Sequence, residues 1–250
     1  MKFNKALHFL RPDVGLKNQE NRESWLQQTL RQIPAGSKIL DAGAGTQQYK
    51  IFCMHLNYVA QDFAEYDGKG DEKGLQMGTF DYGKLDIISD ITAIPRPDAS
   101  FDAIMCIEVL EHLPEPSKAI AEFSRLLKPG GHLVITAPFC SLTHFAPYHY
   151  CTGFNRYWYE KQLIDNELSI SELIPNGNYF EYLGQELYRV RTAAKKYAAD
   201  KPNALESIAL LLIRRMLLRF SINDSSSAES ACFGYHVHAM KKNQLTIPSP

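Results

Sequence analysis

Residues 38–45 read KILDAGAG, an apolar run that reaches an acid, Asp41, and then breaks into closely spaced glycines. Such a run is expected to form a strand that delivers Asp41 to the carboxyl edge of a sheet. Gly43 and Gly45 then let the backbone turn sharply and lie close to a ligand. Gln47, Gln48, Tyr49 and Lys50 are expected to begin a helix. The pattern describes a nucleotide-binding crevice. Its spacing is G-x-G-x-x-Gln, so the third glycine of the dinucleotide fingerprint is missing.

That absence bears on the choice of ligand. A dinucleotide rests its pyrophosphate on a helix N-terminus, and the third glycine brings that helix close to the strand. S-adenosylmethionine carries no phosphate. It needs room at the loop backbone and an acid for its ammonium group, which Asp41 offers. Downstream, NYVAQD (57–62) reads as a second strand ending at Asp62, placed to accept both ribose hydroxyls. That contact suits NAD and S-adenosylmethionine alike, and an Asp that merely ends a strand is the bland alternative.

The stretch from residue 86 to 139, DIISDITAIPRPDASFDAIMCIEVLEHLPEPSKAIAEFSRLLKPGGHLVITAPF, carries further motifs in order. With DAGAG and the acid after the second strand, it resembles the class I S-adenosylmethionine-dependent methyltransferases, in the subgroup that includes ubiquinone-type enzymes. The resemblance runs from Lys38 to about Phe139. More weakly, SISELIPNGNYFEYLGQEL and CFGYHVHAMKK resemble the segments that lead to and form the family's last two strands. It implies a doubly wound, Rossmann-like α/β fold with a mostly parallel seven-stranded sheet and an antiparallel last strand. It also implies S-adenosyl-L-methionine as cofactor and S-adenosyl-L-homocysteine as product, held along Asp41, Ala42, Gly43, Ala44, Gly45, Asp62, Phe63, Asp90, Ile91, Ile107 and Glu108.

The residues agree with those roles. Asp90 follows the apolar pair Ile87 and Ile88, where a carboxylate can accept from an adenine amino group. Phe101 to Ile107 is apolar except for Asp102 and shows no helical period, as expected for a strand buried on both faces. Glu108 falls at its carboxyl end, where ligands lie in sheets of this type.

At 250 residues the chain suits a single domain: a helical extension (1–37), a cofactor-binding core (38–139) and an acceptor-side region (140–250). A formal net charge of -1 with both signs mixed disfavours a nucleic-acid partner. Five cysteines without a CxxC pair argue for free thiols in a reducing, cytoplasmic setting. The N-terminal stretch lacks the continuous apolar core of a signal peptide. Trp25, Leu26, Leu30 and Ile33 recur at helical spacing, so a helix either packs on the core edge or caps the cofactor. Strand and helix signals are expected to alternate from Lys38 to Pro138. The glycine-rich segment 63–84 reads as a mobile insertion. Pro116 suits the first turn of a helix over 117–128, with PGG at 129–131 as its stop.

Beyond the fifth strand, CSLTHFAPYHYCTGFNRYWYEKQL (140–163) gathers histidines and aromatics. His144, Tyr148, His149 and Tyr150, with His112 after the fourth strand, are the candidate contacts to a small-molecule acceptor. His112, His149 and Tyr148 are the candidate catalytic groups, and Glu111 is a weaker one. Cys140, His144, His149 and Cys151 include zinc-ligand types, but Cys-x3-His-x4-His-x-Cys is not a zinc-finger spacing, so no metal is expected.

LESIALLLIRRMLLRF (205–220) is apolar but broken by Arg214 and Arg215, too interrupted to span a bilayer. Burial as a lid or subunit interface, in a monomer or homodimer, is preferred to peripheral membrane contact because apolar residues occupy most of its faces. Two rivals to methyl transfer are a nicotinamide-dependent oxidoreductase and a non-catalytic protein that binds S-adenosylmethionine for regulation.

Overall fold

The computed structural model describes residues 13–243. Its sheet comprises β1 (Lys38–Ala42), β2 (Asn57–Asp62), β3 (Ile87–Ile88), β4 (Phe101–Ile107), β5 (Leu127–Pro138), β6 (Leu168–Asn176) and β7 (Gly234–Lys241). Their order is β3-β2-β1-β4-β5-β7-β6. β1 pairs in parallel with β2 and β4, β2 with β3, and β4 with β5, whereas β7 runs antiparallel to β5 from His132↔Met240 to Pro138↔Gly234. This is the expected doubly wound sheet with an antiparallel last strand. The order reverses between β1 and β4, so the loops leaving these two strands open a crevice at the carboxyl edge.

β4 lies at the centre because six of its seven residues are buried apolar side chains. Its lone polar residue, Asp102, sits near the entry end, where it accepts from the Lys38 N–H at 2.8 Å and the Lys128 ammonium at 2.7 Å. Helix α1 (Asn18–Leu30) sends Leu26 and Leu30 into a buried cluster with Ile33, Ile39, Cys53 and Met105. That is the packing role; none of its residues lines the main cavity.

Two local expectations are corrected. No α-helix lies between β1 and β4. The glycine loop instead leads to a 3₁₀ turn, Lys50–Cys53. Gln47 has a left-handed backbone (φ 58°), and its side-chain amide donates to the carbonyls of Tyr82 and Lys84, both at 2.8 Å. A helical start is thereby traded for a turn pinned to the following loop. The second correction concerns α2 (Pro116–Leu126), which stops before PGG because Leu127 is already extended. The register jumps from Phe101↔Leu127 to Ala103↔His132, so KPGG bulges out within β5 rather than ending a helix.

Segment 63–84 is not a free insertion. Leu75 and Phe145 exchange backbone bonds with their surroundings, Leu75 N–H to Thr143 O and Phe145 N–H to Leu75 O, both 3.0 Å. Tyr66 stacks on Phe145 at 4.6 Å, and Phe80 meets Tyr66 edge-on at 5.2 Å.

The chain divides into two compact units. One contains Ser24–Ile174 and the described residues from Gly234 onward; the other contains the described residues up to Glu23 and Pro175–Phe233. α3 (Arg156–Asp165) belongs to the first. The second pairs α4 (Tyr179–Ala193) with α5 (Ala204–Ile222). α4 begins at Asn178, whose side chain accepts from Phe180 and Glu181, and α5 begins with a reciprocal Asn203–Glu206 capping box. Arg214 lies 3.4 Å over the Tyr188 ring. Burial of α5 is confined to one face: Leu217 is buried, whereas Leu205, Ile208, Leu212 and Met216 are exposed. Within one chain, α4 covers a single stripe of this helix. No described helix is long and apolar enough to cross a membrane.

Candidate active site

A cavity of about 690 Å³ opens at the crevice between the ends of β1 and β4. Its floor is the glycine loop. The Gly43 and Ala44 N–H groups donate to the Gln61 carbonyl at 3.0 and 2.8 Å, so the loop is tied to the neighbouring strand. Asp41 is buried, and the Tyr58 hydroxyl donates to it at 2.5 Å. Burial pushes its pKa up to about 7, against the hydrogen bond from Tyr58, which lowers it, and with a small push from Asp62.

Asp62, at the end of β2, accepts the Gly45 N–H at 2.8 Å and the Ala64 N–H at 3.1 Å. These bonds orient the carboxylate and leave acceptor capacity for a diol. Its pKa is also raised by burial. Asp90 is exposed at the cavity edge and held by Thr92, whose N–H and hydroxyl both donate to Oδ1 at 2.8 Å. Glu108, directly after β4, takes a left-handed backbone (φ 56°) and accepts from the Thr136 hydroxyl at 2.8 Å. A non-glycine residue in that region is a mark of a site held by its surroundings.

Asp41, Asp62, Glu65, Asp90 and Glu108 all line the cavity, and no Lys or Arg does among the described residues. The lining therefore favours a cationic ligand and opposes a phosphate. The missing helix after the glycine loop points the same way, since no helix N-terminus is presented to a pyrophosphate there.

Of the cofactor contacts expected from the sequence, Asp41, Gly43, Ala44, Gly45, Asp62, Phe63, Asp90, Ile91, Ile107 and Glu108 line this cavity. Ala42 does not; it is fully buried in β1. On the acceptor side His112, His144, Tyr148 and Tyr150 line it, while His149 lies behind them. Sequence reasoning missed Tyr58, Gln61, Glu65, Tyr66, Phe80 and Tyr82. Tyr58 and Gln61 lie in a strand whose alternation was the available signal. The other four lie in a segment read as a connection.

The acceptor wall is aromatic. His112 stacks on Phe145 at 5.1 Å and meets His144 edge-on at 4.6 Å; Tyr148 meets Phe63 edge-on at 5.1 Å. The Tyr150 and Cys151 N–H groups donate to the Glu111 carbonyl at 2.9 and 3.1 Å, fastening the loop to the turn after β4. Burial, with smaller effects from His144 and His149, holds the His112 imidazole down at about 3. At pH 7 it is neutral and a weak proton acceptor.

Residues 40–135 match a sequence family described as a methyltransferase domain. The chain is 34% identical over 119 residues to a demethylmenaquinone methyltransferase of Clavibacter sepedonicus, covering 46% of this chain and 47% of that protein. It thus spans about half the length of the curated relative it matches. Among solved structures it is similar to a putative sarcosine dimethylglycine methyltransferase from Galdieria sulphuraria, with a TM-score of 0.53 and 15% identity, covering 90% of this chain and 86% of the other. It is equally similar to the [4+2]-cyclase SpnF, with a TM-score of 0.52 and 16% identity, covering 90% and 81%. At these identities the structures speak to the fold.

Proposed function

We propose that the protein, whose residues 40–135 match a methyltransferase domain, binds S-adenosyl-L-methionine and passes its methyl group to a small organic acceptor in the cytoplasm. The observation that carries this reading is a cavity lined by five carboxylates and by no Lys or Arg among the described residues. In it, Asp41 and the glycine loop would hold the methionine part, Asp62 the ribose and Asp90 the adenine edge. Gln61 ties the loop to β2, and Phe63, Ile91 and Ile107 supply apolar walls.

The cofactor supplies a methyl group already activated on sulfur. This chain contributes alignment and exclusion of water. His112, Tyr148 and Tyr150 offer the acceptor an aromatic wall, and Tyr148 is oriented by its hydroxyl donating to Glu65 at 3.4 Å. The resemblance to a quinone-modifying relative favours a flat, oxygen-bearing ring as acceptor.

Calorimetric titration tests the cofactor. S-adenosyl-L-homocysteine is expected to bind, and Asp62→Ala to weaken it by about tenfold or more, the size of a lost charge-assisted contact. Stabilisation by NAD and not by S-adenosyl-L-homocysteine would overturn the reading.

A second reading is binding without methyl transfer, since the acids that line the cavity serve cofactor binding whether or not a methyl group is passed on. The fold itself is compatible with other chemistry, as the neighbouring cyclase shows. Incubation with labelled cofactor and fractionated extracts separates the two, a product heavier by one methyl substitution being expected if transfer occurs.

A further inference from the structure

Beside the acceptor wall, three histidines and a buried glutamate converge from two distant parts of the chain. Glu111 and His112 come from the 3₁₀ turn Leu110–His112, and His144 and His149 come from the loop after β5. One ring nitrogen from each histidine lies within 4.8 Å of the others.

The hydrogen bonds decide which nitrogens face inward. His112 Nδ1 lies 2.6 Å from the Tyr148 carbonyl, and His144 Nδ1 lies 2.8 Å from the Leu142 carbonyl. A carbonyl can only accept, so in both rings Nδ1 carries the proton and Nε2 is the basic nitrogen. Both Nε2 atoms lie 3.8 Å from the same oxygen, Oε1 of Glu111. A backbone carbonyl on the far nitrogen is how metal-binding histidines are oriented. His149 supplies an independent observation: both of its ring nitrogens are buried, and neither has a hydrogen-bond partner among the described residues. Buried polar atoms left so are rare unless a ligand completes them.

We propose that His112, His144 and His149, beside the buried Glu111 carboxylate, form a binding site for a divalent transition-metal ion. Three imidazoles suit zinc, iron or cobalt better than magnesium or calcium, which prefer all-oxygen shells. In a tetrahedral zinc site ligand nitrogens stand about 3.3 Å apart, so the rings close on the ion by small side-chain rotations. Cys140 and Cys151 do not belong to the cluster, which separates this site from a cysteine–histidine finger. His112 and His144 also line the main cavity. The ion therefore adjoins the acceptor end and can take an acceptor oxygen as a further ligand, a step that rests on the methyltransferase reading.

The test needs neither cofactor nor turnover, so it stands or falls apart from that reading. Protein freed of metal by chelator and dialysis is titrated with cobalt(II) and followed by its visible absorption, then by displacement with zinc. Protein purified without chelator is assayed for metal by mass spectrometry. One equivalent of cobalt per chain is expected, displaced by zinc. His144→Ala and His149→Ala are each expected to weaken binding by about a hundredfold, and the double variant Cys140→Ser/Cys151→Ser to leave it unchanged. His144→Gln and His149→Gln replace the alanine variants if circular dichroism shows those to be unfolded. Absence of stoichiometric cobalt binding overturns the site. Binding that survives loss of His144 and His149, or that is lost in the cysteine variant, overturns this ligand set.

Discussion

Gly43 sits at the hinge between β1 and the cavity with φ 77°, and a Cβ there would come 2.6 Å from both Cγ atoms of Val109. Backbone strain and collision act together. Gly36 also has a left-handed backbone (φ 80°), but a Cβ there would meet nothing within 4 Å. Gly36→Ala should therefore cost about 1 kcal/mol from backbone strain alone, and Gly43→Ala more than about 2 kcal/mol; urea denaturation of the two variants checks the difference. The glycine spacing was legible in the sequence. That Val109 makes the first glycine obligatory was not, because the contact joins two loops far apart in the chain. Asp41 was legible as an acid at a strand end, but its partner Tyr58 lies on the adjacent strand. The partner and the burial together change its chemistry. Its pKa rises from 3.8 to about 7, so between those values the folded protein keeps a proton that the unfolded chain has released. Stability from this group is therefore full below about pH 4 and falls as pH rises towards 7. Asp41→Asn removes that loss, and in chemical denaturation at pH 7.5 the variant should gain on the order of 2–4 kcal/mol relative to its difference at pH 4.5.

At the scale of elements, period and composition found the strands and missed the connections. FDAIMCI needed no partner to be read as a strand, since a buried apolar run of that length has few other uses. The helix expected after DAGAG does not form, because Gln47 spends its side chain on two carbonyls of a later loop. Segment 63–84 looked like slack chain from its glycines and charges, yet Tyr66, Phe80 and Tyr82 form cavity wall. α5 carries apolar residues on most of its faces, and within one chain α4 covers one stripe of them. Leu217→Ala on that stripe should lower stability by about 2–3 kcal/mol, whereas Leu212→Ala on the exposed face should change it by less than about 0.5 kcal/mol. Thermal denaturation followed by circular dichroism distinguishes them.

For the whole molecule, a formal net charge of -1 and an isoelectric point near 6.7 leave little long-range repulsion between copies. With Leu205, Ile208, Leu212 and Met216 exposed along α5, solubility is expected to pass through a minimum near pH 6.7. Leu212→Glu/Met216→Glu should raise it there, as measured by precipitation against pH. The sequence by itself determined the parallel core, the crevice at the end of β1 and four of the acids that line it, Asp41, Asp62, Asp90 and Glu108. Those features depend on local torsional freedom, on the period of burial and on the order of strands, all of which are written along the chain. Tertiary structure decided which groups became partners: Tyr58 with Asp41, segment 63–84 with the acceptor loop, and Glu111 with His112 and His144. Such pairings depend on how loops of different strands meet at one sheet edge, and no local pattern records where a loop will close.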